Sequence, residues 1–343
     1  MKTGLVLGKF APLHKGHESM IRLACEETDR VLVLVYDSPE ATDIPLSVRA
    51  RWIRTLFPQA EVLEGWDGPS DIGDTPEIKR KQEAYVSNML RGERVTHFYS
   101  SEFYGEHMSL ALGAVDRRVD PKREKVPVSA TMIRQSPYAN RKFVDPVVYE
   151  DLIAKAAFLG APSTGKSTLV AALGEAYRTA FMPEFGRAYW EAHQVDRRLT
   201  PEQLVELAEG HLERERRLVY EADRYLFVDT NAITTYMFSM DYHGTAHPRL
   251  LELAREAQSR YDLVFVCGDD IPYDDTWDRS GEMARGVFQK KILADLQERK
   301  LPYFLLEGTL EERMNKVKSV LAKFRKYRSL GEQLMNEHRG DII

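Results

Sequence analysis

The sequence predicts an α/β protein made of two units, each a parallel sheet covered by helices. Two observations carry this prediction. Short, apolar, β-branched runs of strand length alternate with longer amphipathic stretches along the 343 residues, and such alternation sets strands parallel with helices on both faces. The chain is also longer than the roughly 100–200 residues of a usual domain, and its rhythm stops and restarts once. The break lies in RQSPYANRKFVDPVVYED, around residues 135–154, where Pro137, Pro146 and polar residues interrupt the pattern. A first domain is expected over residues 1–145 and a second over 152–330.

In the first half TGLVLG, RVLVLVY, AEVLEG, THFYSS and GAVDRRV read as strands, with helical periods around residues 16–28, 47–57, 77–91 and 105–112. AAFLGA, DRYLFVD, YDLVFVCG and PYFLLEG supply strands in the second half. Thr200, Pro201 and Gln203 make a capping-box start for a long helix carrying Leu204, Leu207, Leu212 and Leu218. The stretch 311–328 sets Arg313, Lys316, Lys318, Lys323, Arg325, Lys326 and Arg328 among Met314, Val317, Leu321 and Phe324. It reads as a helix with a solvated basic face.

Composition narrows the classes of function. The opening apolar run, residues 4–7, is cut short by Lys9 and is no secretory signal. The longest apolar runs, VLVLVY and LVFVC, are strand-sized, far below the roughly 20 residues of a membrane helix, so no membrane partner is expected. Cys25 and Cys267 lie in apolar segments, which fits reduced thiols and a cytoplasmic location. A net charge of −5 and a pI near 6.1 argue against a nucleic-acid-coating surface but leave small anionic ligands open.

The stretch GKFAPLHKGHE, residues 8–18, raises the functional question. Gly8 closes the first strand, Pro12 stiffens the turn and a helix begins near Lys15. His14 and His17 therefore stand at the carboxyl end of a strand beside a helix N-terminus, where open α/β sheets bind ligands and phosphate is favoured. With Phe10 and Gly16 the stretch matches G-x-F-x-P-x-H-x-G-H in full. It resembles the nucleotidyltransferase superfamily, which implies that both histidines contact the phosphates of ATP and stabilise charge during attack on the α-phosphorus. A zinc-like reading is weaker, because no third ligand at suitable spacing accompanies the pair. VSATMIR, with Ser129, Thr131 and Arg134, resembles the superfamily's second signature, I-S-x-T-x-x-R. An arginine there suits a departing pyrophosphate, whose oxygens a guanidinium binds bidentately. Gly8, Phe10, Ser129 and Thr131 join the nucleotide-binding candidates.

The second half opens with GAPSTGKS, residues 160–167, between the strand AAFL and the helical TLVAALGEAY. Strand, loop and helix in that order are the setting of a phosphate-binding P-loop. Gly160 and Gly165 shape the turn, backbone amides surround the phosphates, Lys166 reaches the β- and γ-oxygens, and Ser167, with Thr168 beside it, faces magnesium. YLFVDT ends an apolar strand in Asp229, a candidate metal-binding and catalytic carboxylate.

Beyond these two sites stand SSEFYGEHMSLALGA (100–114), VDPKREKVPVSATMIRQSP (119–137), PEFGRAY (183–189) and VDTNAITT (228–235). Together they resemble the bacterial bifunctional nicotinamide-mononucleotide adenylyltransferase and ribosylnicotinamide kinase family, up to about residue 308. The resemblance implies a Rossmann-like nucleotidyltransferase domain followed by a P-loop kinase domain, both with parallel sheets. It implies two consecutive reactions: ribosylnicotinamide and ATP give the mononucleotide (NMN), and NMN with a second ATP gives NAD and pyrophosphate. The expected partners are then ATP, ribosylnicotinamide, NMN and NAD, with Mg2+ as cofactor, and the sequence leaves room for a homo-oligomer. Glu184 and Arg187 match the family's E-x-G-R, which implies contact with ribose hydroxyls and with phosphate charge.

IPYDDTWDRSG keeps the lid's Pro272, Tyr273 and Arg279 but has Thr276 and Trp277 in place of the family's Asp-Gly. Tyr273 is expected to stack on the pyridine ring, unless Trp277 has taken that role, with Arg279 close to the γ-phosphoryl charge. Some members begin with a helix-turn-helix repressor domain; here the first strand starts at Thr3, so direct transcriptional repression is not expected. Two other readings use the same parts: a phosphopantetheine adenylyltransferase fused to dephospho-coenzyme A kinase, and a nucleotide sensor that binds without turnover.

Overall fold

Each unit winds around its own opening strand. The computed structural model describes residues 1–69, 75–101, 105–194, 198–272 and 282–328, and it divides into Met1–Tyr149 and Glu150–Ile343. In the first unit the order is β1 (Thr3–Gly8), α1 (Lys15–Glu27), β2 (Arg30–Tyr36), α2 (Leu46–Leu56), β3 (Glu61–Gly65), α3 (Pro76–Met89) and β4 (His97–Ser100). There follow α4 (Gly105–Leu112), β5 (Val115–Arg118), α5 (Ala130–Gln135) and α6 (Pro146–Leu152). The sheet order is β3-β2-β1-β4-β5, and every pair is parallel. β1 and β2 each bury five consecutive residues because helices cover both faces. Leu5, Leu32, Leu34 and Phe98 pack against Val86, Leu90 and Met108 on one side of this sheet.

The second unit runs β6 (Ala154–Leu159), α7 (Lys166–Tyr177), β7 (Phe181–Met182), α8 (Gly186–His193), α9 (Pro201–Leu218), β8 (Tyr225–Asp229) and α10 (Ala232–His243). It continues with α11 (Pro248–Arg260), β9 (Leu263–Cys267), α12 (Glu282–Glu298), β10 (Phe304–Leu306) and α13 (Leu310–Lys323). The parallel order is β10-β9-β6-β8-β7. Phe158, Phe227 and Phe265 pack with Leu169, Leu173 and Leu321 in one core. Leu159, Val264 and Val266 pack with Ile233, Phe288 and Ile292 in another. In both sheets the strand order reverses beside the opening strand, so a crevice opens beyond the carboxyl ends of β1 and β6.

Three local features differ from the sequence reading. Pro146 opens α6 instead of only interrupting the pattern: proline at the first helical position loses no hydrogen bond, and Asp145 accepts from the Val147 amide at 2.9 Å. The two-residue edge strand β7 is too short to carry a pattern. The basic stretch at 311–328 is helical only to Lys323, where α13 ends; Arg313 on it is only 2% exposed, and Lys326, beyond the helix, is half-buried and donates to the Ile153 carbonyl. Neither belongs to a solvated face. No described helix is long and apolar enough to cross a membrane.

Candidate active sites

In the first unit the β1–α1 loop assembles the histidine pair. Phe10 adopts a left-handed conformation (φ 48°) and is buried, and a Cβ at Gly8 would stand 3.3 Å from its ring. His14 caps α1: its Nδ1 accepts from the amides of Gly16 at 3.2 Å and His17 at 3.4 Å. An accepting Nδ1 leaves the ring proton on Nε2. A Cβ at Gly16 would lie 3.1 Å from the His14 ring, so the glycine between the histidines makes room for the capping imidazole. The two imidazoles stack at 3.6 Å with 18° between planes, and Phe10 meets His17 edge-on at 5.1 Å.

Burial, reinforced by the Arg123 charge, lowers the His14 pKa to about 4. Burial, then the charges of His14 and Arg123, hold His17 well below the usual histidine value. Both rings are neutral near pH 7, so each can offer an N–H donor but no fixed charge.

The second signature folds back onto this loop. Ser129 caps α5 by accepting from the Met132 amide at 3.2 Å. Arg134 donates to the Ala11 carbonyl and, at 3.1 Å, to the Thr131 hydroxyl. The two sequence motifs, more than a hundred residues apart, thus share one loop. Sequence reading missed two contributors. The Asp120 carboxylate accepts from the amides of Glu124 (2.9 Å), Lys125 (3.1 Å) and Val126 (2.9 Å), shaping the turn that carries Arg123. Arg49, wholly buried, donates to the carbonyls of Lys9 (2.6 Å), Tyr36 (3.0 Å) and Ile44 (3.0 Å) and to the Asp37 carboxylate (3.1 Å). It pins the start of the histidine loop to the end of β2. Its position on the buried stripe with Leu46, Ala50 and Ile53 was the available signal.

In the second unit the P-loop joins β6 to α7. Gly160 (φ 139°), Ser163 (φ 60°) and Gly165 (φ 78°) bend it through left-handed conformations, and a Cβ at Gly160 would lie 2.7 Å from the Cys267 carbonyl oxygen. Lys166 is buried and donates to the Ala161 carbonyl at 2.8 Å. Ser167 and Thr168 are exposed in the first turn of α7. Asp229 ends β8 fully buried; no well-formed hydrogen bond reaches its carboxylate among the described residues, although the Ser167 side chain and the Glu184 main chain act on it as hydrogen-bonding neighbours. Burial pushes its pKa up to about 6, with Lys166 pulling down and Glu184 pushing up. Lys166, Glu184 and Ser167 each therefore act on Asp229.

Glu184 and Arg187 are exposed around the start of α8. Tyr273, Trp277 and Arg279 lie outside the described residues. Sequence reading did not single out Asn231 and Thr234, both buried beside Asp229, whose Nδ2 and Oγ1 have no partner among the described residues. Nor did it single out His211, whose Nε2 stands 3.3 Å from the Asp229 carbonyl oxygen. A buried carboxylate next to a hydroxyl suits a hard cation such as magnesium.

A family model described as cytidylyltransferase-like matches residues 5–136, and an AAA-domain model matches residues 155–313. The trifunctional NAD biosynthesis/regulator protein NadR of Salmonella typhimurium is 28% identical over 334 residues, which span 88% of this chain and 77% of that protein. The phosphopantetheine adenylyltransferase of Aromatoleum aromaticum is 32% identical over 166 residues, 45% of this chain and 97% of its own. A crystal structure of NadR protein in complex with NR superposes with a TM-score of 0.56 at 25% identity, covering 93% of this chain and 94% of that one. Likeness to the phosphopantetheine enzyme covers under half of this chain, whereas likeness to NadR covers 88% of it. Over 88% of its length the chain is thus similar to the NAD biosynthesis/regulator protein NadR, the likeness that its motifs also carry.

Proposed function

We propose that the second unit phosphorylates ribosylnicotinamide with ATP and that the first unit adenylylates the resulting NMN with a second ATP, giving NAD and pyrophosphate. The observation that carries this is the pairing, in one chain similar to NadR, of a stacked histidine pair at a helix N-terminus with a P-loop beside a buried carboxylate. In the kinase step the ribose 5′-hydroxyl attacks the γ-phosphorus and ADP leaves. P-loop amides and Lys166 hold the transferred charge, and the hydroxyl proton leaves to solvent as the new bond to phosphorus forms. Ser167 and Asp229 would hold magnesium, which supplies charge neutralisation on the ATP phosphates. Glu184 and Arg187 serve the ribose hydroxyls and phosphate charge, with Tyr273 or Trp277 stacking on the pyridine and Arg279 near the γ-phosphoryl group.

In the adenylyl step an NMN phosphate oxygen attacks the α-phosphorus and pyrophosphate leaves. His14 and His17 donate to the phosphate oxygens as charge develops, and Arg134 receives the pyrophosphate. No covalent enzyme intermediate is required; positioning and charge stabilisation suffice.

Chromatographic product assay of two variants tests the assignment. Lys166→Ala should lose conversion of ribosylnicotinamide yet still turn supplied NMN into NAD. His17→Ala should still make NMN but slow the adenylyl step by about a hundredfold or more, the scale of a lost transition-state donor. Loss of both activities in either folded variant would sink the two-site reading, and turnover of phosphopantetheine in place of NMN would favour the coenzyme A alternative.

A further inference from the structure

Three buried side chains from α12 and α13 reach the P-loop from outside the phosphate cradle. Gln289 accepts from the Ala161 amide at 2.8 Å and donates to the Cys267 carbonyl at 3.0 Å. Arg285 donates to the carbonyls of Ser163 (3.4 Å), Asp269 (3.1 Å) and Ile271 (3.0 Å). Arg313 donates from Nη1 to the Thr164 carbonyl at 2.6 Å and from Nε to the Gly308 carbonyl at 2.9 Å. Its Nη2 reaches the Gly268 carbonyl at 3.3 Å and the Asp270 carboxylate at 2.5 Å. Arg313 is 2% exposed and Arg285 5%. A buried guanidinium is tolerated when its donors are used, and Arg313 spends them mostly on main-chain oxygens of three separate segments.

Those bonds act on the orientation of the loop's amides. In a trans peptide the carbonyl and the following N–H point in opposite directions. Drawing the carbonyls of Ser163 and Thr164 toward the arginines therefore turns the amides of Thr164 and Gly165 to the opposite side of the loop. Left-handed conformations at Ser163 and Gly165 bring successive amides together in the kind of concavity that binds anions. A cationic donor on the carbonyl also polarises the peptide, which strengthens its N–H as a donor. The contact is close: a Cβ on Gly165 would stand 3.8 Å from Arg313 Nη1.

We infer that Arg313, supported by Arg285, is a positioning residue for nucleoside triphosphate at the P-loop. It sets the amides of Thr164 and Gly165 and ties that setting to residues 268–271, the segment that leads into the stretch read from the sequence as the kinase lid. Arg313 acts through the loop and does not itself touch phosphate. The activity test rests on the kinase reading; the binding test does not.

Arg313→Lys keeps the charge but cannot span the four oxygens. Calorimetric titration of the full chain with magnesium AMP-PNP identifies the P-loop event as the one absent from Lys166→Ala protein. In Arg313→Lys that event should weaken about tenfold, the scale of one charge-assisted hydrogen bond. KM for ATP in the kinase reaction should rise by a similar factor, with KM for ribosylnicotinamide unchanged and adenylyl transfer at the parental rate. Unchanged nucleotide affinity, or an equal loss for both kinase substrates, overturns the inference. Should Arg313→Lys fail to fold, Asp270→Asn removes the ion pair but leaves the Thr164 bond. A loss of about threefold for magnesium AMP-PNP alone then supports the inference, and no loss overturns it. If even the parental protein fails to phosphorylate ribosylnicotinamide, the kinase reading falls while the titration still decides the role of Arg313.

Discussion

At Asp229 function and stability pull in opposite directions. Its buried carboxyl has a pKa of about 6 against an ordinary 3.8, burial outweighing the pull of Lys166. As pH rises through that interval the unfolded chain gives up its proton first, so this group lowers folding stability at neutral pH and not at pH 4 or below. Asp229→Asn should therefore raise the stability of the ligand-free second unit at pH 7.5 by up to roughly 3 kcal/mol. The gain should fade toward pH 4, and phosphorylation should be lost. Thermal melts across pH check this, and a lower melting temperature for the variant at pH 7.5 would show that the carboxylate is stabilising. His14 gives the reverse slope. With a folded pKa of about 4 against 6.5, the unfolded histidine binds its proton first as pH falls, and the first unit loses stability from pH 6.5 down to 4. His14→Asn retains a capping oxygen and should flatten that acid limb by roughly 2 kcal/mol between about pH 6.5 and 4.5. Urea denaturation at pH 6.5 and 4.5 measures it, and an unchanged slope would place the acid sensitivity elsewhere.

At the scale of elements, legibility followed the range of the signal. Buried parallel strands read directly as continuous apolar runs, and the α9 start was visible in Thr200, Pro201 and Gln203, whose reciprocal capping bonds are both present. The two loops that form the sites were legible for the same reason, because each is one short local pattern. What could not be read were side chains whose partners are distant main-chain groups. Arg313 looks solvated among basic neighbours, yet the Thr164 carbonyl it serves is 149 residues away. Arg49 interrupts an apolar stripe, and nothing local announces the carbonyls of Lys9 and Tyr36. Its removal tests the element it holds. Arg49→Met would leave three carbonyls without their donor and the part-exposed Asp37 without its partner, a loss of about 1–3 kcal/mol, the scale of buried acceptors left unsatisfied. The first unit should melt earlier and adenylyl transfer should fall, with phosphorylation of ribosylnicotinamide preserved. Wild-type adenylyl activity in this variant would reduce Arg49 to a dispensable anchor.

At the scale of the molecule the two units have separate cores, and their activities should fail separately. Leu5 is wholly buried among Leu32, Leu34, Phe98 and Met108 in the first unit. Leu173 is wholly buried among Phe158, Leu169, Phe227 and Leu321 in the second. Truncating either leucine removes apolar contact and leaves a cavity, at a cost of about 2–5 kcal/mol. That is a large share of the roughly 5–15 kcal/mol by which a domain is usually stable. Leu173→Ala should therefore lower the temperature at which kinase activity is lost by several degrees, while NAD formation from supplied NMN keeps its parental heat tolerance. Leu5→Ala should show the reverse. Residual activity of each kind after a graded heat challenge reads both outcomes from one preparation. If either substitution shifts both activities by the same amount, the chain unfolds as one cooperative body, and the partition seen in the sheets and cores does not extend to its stability.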